Sequence, residues 1–304
     1  MTFLLASAAL VRIGPIVRAC DLRARGVTSR EISRATSAGE IRRVRRGVYA
    51  SLDADESWIH AAQHGAVPSC VMAGRMMGLW ILQDGDDLHL WFGHAGNPRQ
   101  CGRRSCDPHQ HWDDGEVRLG DLPPVRNVLL QVAQCADEET FFCALESALR
   151  KSMLHVGDIR WLAERVPRPV RWLLGFARTD ADSGLESLIR LRLHKLGISV
   201  CTQVQIDGVG EVDFVIGDWL IIEADGKQNH DDDRDDEGGD ASQPWVSLRH
   251  KDLMRDARAA ALGYETLRFN YAMIVHHWAT VVAAILARIA ATRVAPVGRR
   301  VSDH

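Results

Sequence analysis

The chain has 304 residues, of which 46% are hydrophobic and 25% charged, and its formal net charge is −3. This length predicts roughly two or three domains, and the composition excludes collagen-like and wholly disordered chains. No apolar run is long enough for a transmembrane helix, so the sequence predicts no membrane partner. Seven scattered cysteines, an odd number, indicate reduced thiols, and we expect a cytoplasmic protein.

The near-neutral total hides two regions of opposite charge. Residues 1–50 contain ten arginines against Asp21, Glu31 and Glu40, a net charge of +7. Residues 231–240 contain seven acidic side chains, and such a run is typical of a solvated loop. The basic segment is therefore the first place to look for contact with nucleic acid.

The basic segment has the element order of a winged helix-turn-helix. Residues 16–25 predict a helix, and residues 28–31 form a capping box that opens a second one. Residues 37–42 predict another capping box and a short third helix. Residues 44–50 alternate apolar and basic side chains around a glycine, which is typical of a β-ribbon. The alternative is a small helical domain with a solvated basic face.

The same segment resembles the N-terminal winged-helix domain of AbiEi-type antitoxins of type IV toxin–antitoxin systems. Residues 26–31 and 39–49 carry the resemblance. It implies a DNA-binding domain at 1–52 that represses its own operon, and it allows a cognate toxin as a partner. Positive side chains near a helix start and on a wing suit phosphate contact. The residues expected to contact DNA are Arg30, Arg42, Arg43, Arg45 and Arg46.

Residues 53–178 are expected to form a middle α+β region that orients the two ends of the chain. They include a predicted buried helix at 67–80 and a predicted strand at 88–92. Two further helices are predicted at 128–135 and 140–151.

One stretch of the middle region contains four potential zinc ligands. They are Cys101, Cys106, His109 and His111. The cysteine spacing is at the wide limit for a zinc site, the histidine spacing is tighter than usual, and no second pair follows. We therefore expect a polar loop here rather than a zinc knuckle.

The last segment reads as a helix, a three-stranded hairpin sheet, a helix, a strand and a closing helix. The third strand is an apolar run, which indicates the centre of a buried sheet. In chain order the predicted elements are helix 183–196, strands 200–206, 211–216 and 219–227, helix 250–262, strand 264–270 and helix 274–291.

Acidic residues converge on this predicted hairpin. Folding about the turn at 217–218 brings Asp213 opposite Ile222–Glu223, and alternation places Glu223, Asp225 and Lys227 on one strand face. Clustered carboxylates repel one another unless a cation lies between them, and oxygen ligands favour Mg²⁺ or Mn²⁺. Such a cation can activate water for phosphodiester hydrolysis, with Lys227 orienting or deprotonating that water. The alternative is an amphipathic edge strand with solvated acids.

The pattern Asp213-x9-Glu223-Ala224-Asp225-Gly226-Lys227 resembles the PD-(D/E)xK nuclease core, and most closely the domain family related to very-short-patch-repair endonucleases. The resemblance extends over residues 183–288. It implies that Asp213, Glu223 and Asp225 hold the metal and that Glu186 supports the site. By the same resemblance, we expect His230 to be one of the catalytic residues.

The resemblance also implies that Arg255 and Arg268 contact phosphate or brace the fold. The chain departs from the family pattern at Val212, where a proline is usual, and at His230, which stands slightly late. It departs again in the acidic insertion at 231–240. These departures leave the general acid/base and the activity itself open.

The sequence as a whole therefore predicts an α/β protein with an N-terminal winged helix-turn-helix, a middle α+β region and a C-terminal restriction-endonuclease-like core at 179–292. A flexible tail is expected at 293–304. The predicted function is a metal-dependent DNA endonuclease, possible roles being DNA repair and phage defence. The alternative is a non-catalytic DNA-binding regulator or antitoxin.

Overall fold

A computed structural model describes most of the chain. It covers residues 6–82, 85, 87–225 and 245–294, and for 245–252 and 292–294 it describes the backbone alone. Lys227, His230 and the acidic run at 231–240 lie outside the described residues. Within the described ranges, no helix combines the length and the apolarity needed to cross a bilayer.

The chain mixes helices and strands throughout and divides into two compact units, Met1–Arg178 and Thr179–His304. The helices are α1 Ala6–Ile13, α2 Ala19–Ala24, α3 Ser29–Ser37, α4 Glu56–His64, α5 Cys70–Met76, α6 Val125–Cys135, α7 Glu138–Arg150, α8 Val156–Arg165, α9 Leu173–Phe176, α10 Gly184–Lys195, α11 Trp245–Ala261, α12 Tyr271–His276 and α13 Trp278–Val294. The strands are β1 Ile16–Arg18, β2 Arg42–Arg45, β3 Val48–Ala50, β4 Val67–Pro68, β5 His89–Trp91, β6 His109–His111, β7 Cys201–Ile206, β8 Gly210–Ile216, β9 Leu220–Asp225 and β10 Glu265–Asn270.

The first unit begins with three short helices beside a three-stranded antiparallel sheet of order β1-β3-β2. The helices α1, α2 and α3 share a core that contains Leu10, Leu22 and Ile32. The sheet packs on α4, since Val48 and Ile59 belong to one buried cluster. Residues 6–50 are thus joined to the following helix through apolar contacts.

The predicted capping box of α3 is confirmed. Thr28 Oγ1 accepts a hydrogen bond from the Glu31 N–H, and the Thr28 N–H donates to the Glu31 carboxylate at 2.7 Å. This reciprocal pair satisfies two backbone donors at the helix start. The predicted ribbon is also confirmed, with Gly47 at φ +73° in the turn between β2 and β3.

Two predictions for the N-terminal segment are wrong. Residues Ile16–Arg18 form β1, paired with Val48–Ala50, and the helix begins only at Ala19. Helix α3 ends at Ser37, and no third helix follows it. Residues Arg42–Arg45 form the strand β2 instead. β1 gains its backbone hydrogen bonds from β3, about thirty residues along the chain, which local patterns do not reveal, whereas β2 pairs with β3 in a local hairpin.

The rest of the first unit combines a second sheet with packed helices. The sheet has the order β4-β5-β6, with β4 antiparallel and β6 parallel to β5. The predicted helix at 67–80 begins instead as β4 and becomes helical at Cys70. Helices α6 and α7 supply fully buried side chains such as Leu129, Phe141 and Phe142.

The second unit is built on a four-stranded sheet of order β10-β9-β8-β7. Strands β7, β8 and β9 are antiparallel neighbours, and β10 runs parallel to β9 after α11. Leu220, Ile221 and Ile222 are all buried, so β9 is the apolar interior strand that its sequence predicts. The single closing helix predicted at 274–291 is wrong, because the helix breaks at His277 into α12 and α13.

Candidate functional site

The β8–β9 hairpin brings Asp213 and Glu223 together. The register pairs Phe214 with Ile222 and Ile216 with Leu220, so the next step places Asp213 across from Glu223, as predicted. The Ala224 N–H donates to Asp213 Oδ2 at 2.7 Å. The hairpin register therefore places the two acidic residues at facing positions of neighbouring strands.

A third carboxylate, Glu186, reaches the same place from the first turn of α10. Its side chain is only 6% exposed. It accepts hydrogen bonds from Ser183 Oγ at 2.9 Å, from the Asp182 N–H at 2.9 Å and from Gln203 Nε2 at 2.7 Å. The predicted supporting residue thus lies beside the hairpin, held by three donors.

Gln203 owes its position to an unusual backbone. It lies inside β7 at φ +51°, in the left-handed region that non-glycine residues rarely adopt. The neighbouring pairs Thr202–Phe214 and Val204–Val212 keep their register. The Gln203 amide can therefore reach Glu186 without a break in the hairpin. Strain of this kind clusters at functional sites.

The environment of the buried Glu186 and Glu223 and of the half-buried Asp213 disfavours the charged form of each carboxyl. Burial raises the pKa of Glu186 to about 7, the Asp182 N–H lowers it and the Asp213 charge raises it. Burial raises the pKa of Glu223 to about 7 as well, Asp213 adding to the rise and Arg255 opposing it. The pKa of Asp213 is raised by burial, against the Ala224 N–H that lowers it. Buried acids that repel one another are a common mark of functional sites.

Arg255, on α11, is the positive charge beside this group. Its Nη2 donates to Glu223 Oε1 at 2.7 Å and also contacts the Glu211 carbonyl oxygen. Arg268, on β10, forms a two-pronged ion pair with Asp256 at 3.0 and 2.6 Å. Both arginines brace their own unit, and phosphate contact by either stays a prediction.

Three carboxylates of the site could serve as ligands of a divalent cation. Asp213, Glu223 and the exposed Asp225 offer carboxylate oxygens alone, which suit Mg²⁺ or Mn²⁺. Asp225 also contributes to the raised pKa of Asp213 and of Glu223, so its charge acts on both. Lys227 and His230, which complete the predicted set, lie outside the described residues.

The five arginines expected to contact DNA fall into two classes. Arg30, Arg43 and Arg46 are exposed. Arg42 forms an ion pair with Glu56. Arg45 is half-buried, and its Nε donates to the Ala62 carbonyl oxygen at 2.7 Å. Arg30, Arg43 and Arg46 are the better placed to meet a phosphate backbone, because Arg42, which is also exposed, already pairs with Glu56.

The cysteines and histidines of the middle region gather into two groups that the sequence did not predict. We call the first the His60 group; it consists of His60, His64, Cys101 and Cys106. We call the second the His89 group; it consists of Cys70, His89, His111 and Cys135. His109 stacks on His89 with ring centroids 4.5 Å apart. Cys101 and Cys106 thus belong to the first group and His111 to the second, so the expected polar loop supplies potential ligands to both. The sequence signal that could have indicated the first group is the His60-x3-His64 spacing on α4.

The comparison with known families bears on the N-terminal segment. Residues 7–51 match a family described as "Transcriptional regulator, AbiEi antitoxin". The N-terminal segment is therefore similar to the DNA-binding regulator domain of that family, in agreement with the resemblance seen in the sequence. No curated protein matches the chain.

Proposed function

We propose that this chain is a DNA-binding protein whose N-terminal winged helix-turn-helix targets a Mg²⁺-dependent nuclease site in the second unit. The observation that carries the nuclease assignment is the group of three carboxyls, the buried Glu186 and Glu223 and the half-buried Asp213, whose pKa values are raised by burial. Buried carboxylates of like charge require a compensating cation when ionised.

The N-terminal assignment is supported by element order and by the family match. The chain runs α1, β1, α2, α3, β2, β3, with a basic turn at Gly47 between the last two strands. A capped α3 followed by an arginine-bearing hairpin suits a helix in a groove and a wing on the backbone. The AbiEi antitoxin match over residues 7–51 favours the same role.

In the nuclease site, Asp213, Glu223 and Asp225 would hold the metal. A bound divalent cation supplies charge neutralisation and a water of lowered pKa. Glu186, with a pKa of about 7, can hold or release a proton near neutral pH, and Gln203 fixes its orientation. Arg255 lies against Glu223 and would help to neutralise negative charge on an incoming phosphate.

The second candidate is a non-catalytic DNA-binding regulator or antitoxin with a cognate toxin as partner. The family match over residues 7–51 favours this candidate, because the matched family is described as a transcriptional regulator and antitoxin. The ion pair of Glu223 with Arg255 favours it too, because this arginine already compensates one of the acids.

Incubation of supercoiled plasmid with the purified chain separates the two candidates. The nuclease proposal expects nicked or linear DNA with Mg²⁺ or Mn²⁺ and intact plasmid with EDTA. DNA that is bound and stays intact with either metal, across plasmid, single-stranded and mismatched substrates, would overturn it and favour the regulator.

A further inference from the structure

In the first unit, the four side chains of the His60 group point their ligand atoms at one small volume. The imidazole nitrogens and the sulfurs all lie within 4.8 Å of one another. Cys106 Sγ is 3.2 Å from His60 Nε2 and 3.2 Å from His64 Nε2. Cys101 and Cys106 share a side-chain hydrogen bond. Two elements distant in sequence, α4 and the segment after β5, thus meet at these side chains.

We propose that the His60 group is a structural zinc site. Two thiolates and two imidazoles form the S₂N₂ set that selects Zn²⁺ in tetrahedral geometry. With Zn–S of about 2.3 Å and Zn–N of about 2.0 Å, the ligand atoms of such a site lie roughly 3.3–3.8 Å apart. The two separations from Cys106 Sγ to the imidazoles, 3.2 Å each, are already near this size, and two thiolates would neutralise the ion.

A backbone contact orients one of the ligands. His64 Nδ1 lies 2.8 Å from the Arg99 carbonyl oxygen, which places the ring proton on Nδ1 and leaves the Nε2 lone pair facing Cys106. The Arg99 N–H returns a bond to the His64 carbonyl oxygen at 3.0 Å. A carbonyl behind a metal-binding histidine is the usual outer support of a zinc site.

Hydrogen bonding alone satisfies the group less well than a cation does. A Cys106 thiol has one proton and can donate it to only one of the two imidazoles that face it. A zinc ion accepts an electron pair from all four side chains at once. Because the protein supplies all four ligands, the site is closed and structural: it clips the irregular segment at 94–108 to α4.

The His89 group carries a second, independent proposal of the same kind. Its ligand atoms also lie within 4.8 Å of one another, with Cys70, His89 and His111 buried. His89 Nδ1 is 3.4 Å from His111 Nε2 and 3.8 Å from Cys135 Sγ. The four residues come from β5, β6 and the ends of α5 and α6, so a zinc ion here would tie the second sheet to its helices.

The test measures metal content in the tag-free chain. Elemental analysis should find two zinc ions per chain, and Co²⁺ substitution should give the absorption of tetrahedral cobalt with thiolate ligands. Cys106→Ser should lose one zinc and Cys135→Ser should lose the other. Cys20→Ser, at an exposed cysteine outside both groups, should keep two.

Each outcome decides between the sites. One zinc, lost only in Cys106→Ser, keeps the His60 site and overturns the second; one lost only in Cys135→Ser does the reverse. Wild-type protein without zinc after incubation with excess Zn²⁺, and without a thiolate–cobalt spectrum, overturns both sites. The cobalt spectrum of the wild type decides the matter even where a serine variant fails to fold. Neither result bears on the nuclease site, whose test is cleavage.

Discussion

Arg255 Nη2 lies 2.7 Å from Glu223 Oε1, so an α11 guanidinium holds the carboxylate that faces Asp213 across the hairpin. The arginine and a divalent cation offer the same carboxylate a positive charge. We therefore predict that Arg255→Ala binds Mg²⁺ about tenfold more tightly, equivalent to about 1.4 kcal/mol. In EDTA the same variant should lose about 1–3 kcal/mol of unfolding free energy, since Glu223 is left without its partner.

Titration calorimetry with Mg²⁺ and urea unfolding in EDTA measure the two effects of Arg255→Ala. Arg258→Ala is the matched control, because Arg258 lies on the same helix and its guanidinium donates to the Gly208 carbonyl oxygen at 3.3 Å. Unchanged or weaker Mg²⁺ binding in Arg255→Ala would contradict the competition.

The raised pKa of Glu186 predicts that the folded protein loses stability as the pH rises. A carboxyl with a folded-state pKa of about 7 binds its proton more tightly in the folded chain than in the unfolded one. The free energy that protonated Glu186 contributes to folding is therefore fully present below about pH 4.5, and it is lost as the pH rises through 7. In metal-free protein, Glu186→Gln should gain stability relative to wild type as pH rises from 5 to 8, by about 3 kcal/mol at most.

Urea unfolding of both proteins at several pH values gives this difference. Comparing variant with wild type removes the opposing trend from His89 and His111, whose pKa values burial lowers to about 4. Added Mg²⁺ should flatten the wild-type dependence. A stability difference that stays constant from pH 5 to 8 would count against the buried-acid interpretation.

Features that depend on contacts between residues close in the chain could be predicted from the sequence. The Thr28–Glu31 capping box and the acidic hairpin each depend on residues close together in the chain. The strand at Ile16–Arg18 could not be predicted, since its partner, Val48–Ala50, lies far along the chain. Local patterns therefore favoured a helix there.

The same limit applies to the sites. Asp213 and Glu223 face each other through one turn, so hairpin register was enough to pair them. The contact of Glu186 with Gln203 depends on a positive φ at Gln203 inside a strand, and no sequence pattern predicts that conformation. Cys101 and Cys106 find their histidines on α4, far back in the sequence, and a search for a local zinc knuckle misses them.

The capping box of α3 predicts a local stability effect. Thr28→Ala removes the hydroxyl that accepts from the Glu31 N–H and should cost about 1 kcal/mol of unfolding free energy. Thr28→Ser keeps the hydroxyl and should stay close to wild type. Urea unfolding measures both variants, and equal losses in the two would show that the hydroxyl is not what stabilises this helix start.

The exposed arginines that precede Gly47, Arg43 and Arg46, predict a salt-dependent effect on DNA binding. Arg43→Ala with Arg46→Ala should weaken affinity for duplex DNA and reduce the slope of log K against log salt by about 2. Point variants are preferable to truncation, because Val48 packs in one core with Ile59. Fluorescence anisotropy across a salt series checks this, with Arg160→Ala, exposed on α8, as control. An unaltered slope would remove the wing from the DNA interface.

The central claim is that the carboxylates of the β8–β9 hairpin support metal-dependent DNA cleavage, and Asp213→Asn tests it most directly. Asparagine keeps the shape and an oxygen that accepts from the Ala224 N–H, while it removes the charge. Asp218→Asn, in the exposed turn of the same hairpin, is the matched control. With Mg²⁺ and supercoiled plasmid, wild type and Asp218→Asn should cleave at equal rates, and Asp213→Asn should show no cleavage while it still binds DNA. Cleavage by Asp213→Asn at the wild-type rate would contradict the account.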